Sequence, residues 1–206
     1  MLPNEIIDFY LTHAPYAHAD KPDSVQSTDL ADYGWTGNKP LNELMQYVML
    51  HHLRTDGSSN LFFTAANDVS SKSKEVFGDL GDFPKREPGA VLCIKRNLKL
   101  KDNNTCECQL TEAYANCLFR HIRNAIAHGN YHTEGDSILM LDQASSIGTL
   151  NPSFTFVMVT TITFMNELAR LIVSGYESFL LSEEDQERIR GLSYRVPRKI
   201  VLEMKD

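Results

Sequence analysis

Two arginines and three of the seven histidines of this 206-residue chain fall within fourteen positions, FRHIRNAIAHGNYH, residues 119–132. On a helix, residues four apart lie nearly above one another, so Arg120, Asn124 and His128 form a row. Arg123 sits about a third of a turn away and is long enough to reach the same mouth. An imidazole exchanges protons near neutral pH, and a guanidinium grips a phosphate through a fork of donors and stabilises the extra charge of a phosphorane. Those are the groups a metal-independent ribonuclease requires. The RNA provides its own nucleophile, the 2′-hydroxyl, and the protein provides proton transfer and a phosphate clamp. The same residue types ahead of a glycine also make an ordinary helix C-terminus, and spacing does not choose between the two.

The element that must position these groups is the longest strongly periodic segment, a helix expected over about 105–128. Leu110, Ala113, Tyr114, Cys117, Leu118, His121, Ile122 and Ala125 form its apolar stripe, and Gly129 stands where a left-handed residue ends a helix. This places the Arg120–Asn124–His128 row on the polar side, with His128 accessible. After it, NYHT and SILMLD flank Glu-Gly, a spacing that predicts a small hairpin over about 130–142.

Elsewhere the pattern predicts a short helix over 4–12, a long loop over about 13–39 docked by Tyr33 and Trp35, and a helix over 40–54. A second helix is expected over about 59–69, a loop over 78–89, a helix rather than a strand over 90–100, and a long helix over about 160–181. SEEDQERIRG reads as a short helix capped by Ser182 with Asp185 three residues on, followed by a tail, YRVPRKIVLE, that reads as extended. Together these elements imply a single mainly α domain over 1–206, an antiparallel helix bundle with a small β-hairpin after the motif helix.

A hydrophobic share of 42% with 23% charged residues suits a folded globular chain. The N-terminal stretch has no basic segment ahead of an apolar run, and the most apolar stretch, FTFVMVTTITFM, is too short to span a bilayer. We therefore expect a soluble, cytoplasmic protein with no membrane partner, its four cysteines reduced. The formal net charge is −7, but unevenly spread. Residues 1–84 carry 5 Lys/Arg against 12 Asp/Glu, residues 85–132 carry 8 against 4, and residues 133–206 carry 7 against 11. The motif closes the one basic segment, where a polyanion would be drawn; Lys85, Arg86, Lys95, Arg96, Lys99 and Lys101 read equally well as a solvated face.

The string from Leu118 to Tyr131 resembles the signature of the HEPN superfamily: an arginine, usually a polar residue next, then a histidine after four to six intervening residues. Here those are Arg123, Asn124 and His128, and the trailing Gly129-Asn130 fits the many members reading R-N-x-x-x-H-G. The match covers about fifteen to twenty residues. The resemblance implies a helical bundle that dimerises so that two motifs share one cleft, and an RNase of the toxin–antitoxin, abortive-infection or phage-defence kind. Arg123 and His128 would then be catalytic, with Asn124 orienting them. The reaction would leave a 2′,3′-cyclic phosphate, need no cofactor, and have RNA as its substrate; any antitoxin would be a separate chain. Other members only bind RNA or nucleotides, and a defence-operon interaction protein is a further alternative. Arg120, Tyr131 and His132 are candidate substrate-binding residues, Tyr131 by stacking a base, although packing on the hairpin explains it as well.

A zinc site from Cys106, Cys108, Cys117 and His121 is disfavoured, because the first pair has one residue between where structural sites have two to four. His128 and His132 could ligate a metal only if the helix ran on past Gly129. No metal is therefore expected.

Overall fold

Helix α3, Tyr114–Ala127, is the central element, and its composition explains its place. Cys117, Leu118, Phe119, Ile122 and Ala125 are all buried, so it has no broad solvent face through its first two and a half turns. Two layers enclose it. On one side it packs against the sheet strands β6, Ser137–Gln143, and β2, Ala90–Ile94; on the other it packs against α1, Asn4–Thr12, and α2, Asn38–His51. Each fully buried Leu, Ile or Phe here contributes about 1.5–3 kcal/mol relative to exposure. The structure is a computed structural model that describes residues 2–12, 30–51, 61–64, 90–94, 97–99, 109–111, 114–143, 154–180 and 182–187.

The remaining strands are β1, Leu61–Thr64; β3, Asn97–Lys99; β4, Gln109–Thr111; β5, Tyr131–Glu134; and β7, Phe154–Thr161. Five of the strands form one sheet in the order β1-β2-β7-β6-β5, antiparallel except for the parallel β1–β2 pair, while β3 and β4 pair antiparallel apart from it. Helix α4, Ile162–Ser174, follows β7 directly: the Thr161 hydroxyl accepts from the Phe164 amide at 3.0 Å and caps it. Its buried face of Phe164, Met165, Leu168 and Ile172 meets α1, where the buried Tyr10 hydroxyl donates to the Met165 carbonyl at 3.1 Å. Trp35 docks the loop as expected, donating from Nε1 to the Ile172 carbonyl at 3.2 Å.

Helices make up most of the described residues, as expected, but the expected antiparallel helix bundle is not established: the β component exceeds one hairpin, and α3 packs on a five-stranded sheet as well as on helices. Residues 61–64 are a strand where a helix was expected, and so are 90–94, 97–99 and 109–111. Short apolar runs such as LFF and AVLCI fit either element, and it is pairing along β7 that makes AVLCI a strand. The helix expected from about 160 to 181 runs from Ile162 to Ser174, because the β-branched FTFVMVTT ahead of it pairs with β6. The hairpin forms where expected, with Tyr131 opposite Met140 and Glu134 opposite Ser137. Ser182 caps the helix at 183–187, its Oγ 3.1 Å from the Asp185 amide. Residues 13–29 of the expected loop, most of 59–69, the loop at 78–89, Cys106, Cys108 and the tail lie outside the described residues. Among the described residues no helix is long and apolar enough to cross a membrane.

Candidate active site

The motif occupies the last turn of α3, and the turn that ends it is hydrogen-bonded at every step. The Asn130 amide donates to the Ala125 carbonyl at 2.8 Å and the Gly129 amide to the Ile126 carbonyl at 3.1 Å, the paired closure of a Schellman motif. Gly129 takes the left-handed backbone this closure needs, at φ 66°, as the sequence predicts. His128 is thereby the C-cap, its amide still bonded to the Asn124 carbonyl at 3.0 Å and its ring exposed. The Leu141 amide then donates to the Asn130 carbonyl at 2.9 Å, tying the helix end to β6.

Arg123 and Asn124 are half-buried one turn below. Among the described residues neither the Arg123 guanidinium nor the His128 ring has a hydrogen-bond or ion-pair partner. Asn124 is held: its Nδ2 donates to Asp142 Oδ2 at 3.0 Å. The same oxygen lies 2.7 Å from His121 Nδ1. His121 stacks nearly parallel on Phe156, ring centroids 5.3 Å apart and planes 4° off.

Asp142 is the residue that sequence reasoning missed. It is 5% exposed, on the inward face of β6 in step with the buried Ile138 and Met140. In SILMLD, strand alternation puts the acid where an apolar residue is due, and that mismatch was the available signal. A buried carboxylate is tolerated only when paired, and His121 and Asn124 pair it. Burial pulls the His121 pKa down, and Arg120 opposes protonation too. The hydrogen bonds to Asp142 and Cys117 outweigh both, and the ring titrates above the ordinary imidazole value.

Arg120 requires a correction. It is 2% exposed, not on a solvated side, and its Nη2 lies 3.9 Å from Cys117 Sγ. The row Arg120–Asn124–His128 is real as helix geometry, but it passes from the interior to the surface, so Arg120 cannot line an open mouth with the other two. His121, expected in the apolar stripe, is indeed inside at 2%, but hydrogen-bonded to the Asp142 carboxylate. Tyr131 and His132 point to opposite sides of β5: Tyr131 is half-buried against the core and His132 is exposed. They cannot both face one ligand on the same side of the strand.

Cys117, His121 and Asp142 have the residue types of a thiol-nucleophile triad. Cys117 is wholly buried and His121 and Asp142 nearly so, which leaves no approach for a substrate. Among the described residues no three His, Cys, Asp or Glu side chains are grouped to hold a metal ion. Among the described residues that the sequence singles out, Arg123, Asn124 and His128 lie together at the uncovered end of α3. No family model matches the chain, and no curated protein and no solved structure match it either.

Proposed function

We propose that the chain is a HEPN-type, metal-independent endoribonuclease that acts as a homodimer in the cytoplasm, in a toxin–antitoxin or phage-defence setting with any antitoxin on a separate chain. The observation that supports this reading best is the uncommitted pair at one helix end: a half-buried arginine and an exposed histidine, both without partners among the described residues, beside an asparagine that is firmly held. By helix geometry Arg123 and His128 stand about 7.5 Å apart along the axis and about 140° around it, a span that an extended arginine bridges to a shared phosphate.

In the reaction the RNA 2′-oxygen forms a bond to phosphorus as the bond to the 5′-oxygen breaks, leaving a 2′,3′-cyclic phosphate. The 2′-proton passes to one His128 ring and the departing 5′-oxygen takes a proton from a second, which is the use of two copies in one cleft. Arg123 neutralises the phosphorane and Asn124 orients the reacting groups.

Incubation of labelled RNA with the purified protein in EDTA tests the reading. Cleavage with cyclic-phosphate ends, lost in His128→Ala, is the expected result. Binding of RNA with no turnover in the wild type would turn the proposal into its runner-up, a non-catalytic RNA- or nucleotide-binding module on the same fold.

A further inference from the structure

Why an acid occupies an apolar position of β6 has an answer in what it touches. Asp142 Oδ2 receives two donors from α3, His121 Nδ1 at 2.7 Å and Asn124 Nδ2 at 3.0 Å. An ionised carboxylate can only accept, so the end of the Asn124 amide facing it must be the NH2, and the amide cannot turn over without placing oxygen against oxygen. The arrangement is braced from the sheet. Asp142 sits directly across from Phe156 on β7, the ring on which His121 stacks, and the strand register shifts immediately after it, between Asp142 and Gln143.

We propose that Asp142 is the positioning residue of the motif: it locks the Asn124 amide in one orientation, NH2 inward and Oδ1 outward, so that Oδ1 serves as a fixed acceptor for the RNA 2′-hydroxyl beside Arg123 and His128. The first half of this statement concerns the folded protein alone; the second rests on the ribonuclease reading. His121 Nδ1, 2.7 Å from the same oxygen, is the second group that holds Asp142 in the accepting role inside the fold. A neutral carboxylic acid could donate to Oδ1 and would lose the discrimination.

The two halves are tested separately. In NMR spectra of the full chain the Asn124 side-chain NH2 should exchange with solvent at least tenfold more slowly than the amide of an exposed asparagine, and Asp142→Asn should remove that protection. An Asn124 amide exchanging at the free rate in the wild type overturns the proposal, and does so even if Asp142→Asn fails to fold or the protein cleaves no RNA. For turnover, Asp142→Asn should lower kcat about tenfold with KM within twofold, and should cause no further loss in an Asn124→Ala background. Losses that multiply in the double variant would mean that Asp142 acts through general stability, overturning the positioning role while leaving the ribonuclease reading intact. Protection of the amide in a protein that cleaves nothing would retain the lock and remove its catalytic use.

Discussion

Helix α3 carries two arginine–histidine pairs, and the fold treats them in opposite ways. Arg120 and His121 lie where the helix runs between the sheet and α1 and α2. Both are buried, and His121 is committed to Asp142 and stacked on Phe156. Arg123 and His128 lie where the same helix emerges, and among the described residues neither side chain is committed to anything. Residue type is therefore not what separates the buried pair from the uncovered one here; distance along the helix axis is. A helix packed on one side exposes a face. One enclosed on two sides exposes an end, and any polar group along its middle must find partners or destabilise the fold.

The sharpest way to break the comparison is to remove one histidine from each pair. His128→Ala should reduce RNA turnover by about 10²–10⁴-fold, the range for a lost proton-transfer group, while shifting unfolding stability by no more than about 0.5 kcal/mol, as expected of an exposed side chain. His121→Ala should do the reverse in rank. It leaves the buried Asp142 carboxylate without its 2.7 Å partner, a loss of about 3–5 kcal/mol that urea denaturation would register as a lowered midpoint at constant slope. If His121→Ala left the midpoint unchanged, the buried pair would have no structural weight and the contrast between the two ends of α3 would fail.

How much of this was legible in the sequence follows from the same geometry. The helix end was legible because its determinants are local: Gly129, the residues before it and the Asn-Tyr-His-Thr strand that follows need only their neighbours to define a Schellman closure and a hairpin. The placement of His128 and Gly129 therefore survives intact. Arg120 was misplaced because a helical wheel assumes that a helix has one partner, and nothing near Arg120 in the chain says that α1 and α2 cover its other side. The strands β1, β2, β3 and β4, expected as helix, differ for a related reason. A run such as AVLCI carries no period long enough to separate helix from strand, and its partner, β7, lies more than sixty residues away. Asp142 was a local misfit visible in SILMLD, but only the spatial approach of α3 gives the misfit a meaning.

A smaller effect sharpens the comparison through pH. The folded His121 holds its proton to a higher pH than the unfolded chain does, despite the cost of burial, because Asp142 and Cys117 bond the ring. Between the unfolded imidazole value, about 6.5, and the raised folded value, the native state thus binds more protons than the unfolded one. Stability falls as pH rises through that window. The contribution of the pair should be fully present below about pH 6.5 and lost above the folded value. Unfolding free energies measured from pH 5.5 to 8.5 should decline with pH more steeply in the wild type than in His121→Gln. Parallel curves for the two proteins would show that folding leaves the affinity of the ring for its proton unchanged.

The smallest expected change tests whether the helix end needs its particular shape. Gly129 sits at φ 66° with open space where a Cβ would be, and Gly135, in the turn between β5 and β6, sits at φ 57° with equal room. Alanine at either site meets no atom, so each substitution should cost only the left-handed backbone penalty, about 1 kcal/mol, and the two should lower thermal stability alike. Their effects on turnover should differ. Gly129 follows the C-cap His128 directly, and straining the closure that fixes the last turn displaces the imidazole relative to Arg123; a fall of several-fold is expected on the scale at which small misplacements affect catalysis. Gly135 lies at the far end of the hairpin and should leave turnover within twofold. Equal losses in both variants would trace the effect to global destabilisation, and the end of α3 would then be a well-made cap with no demand on its geometry beyond folding.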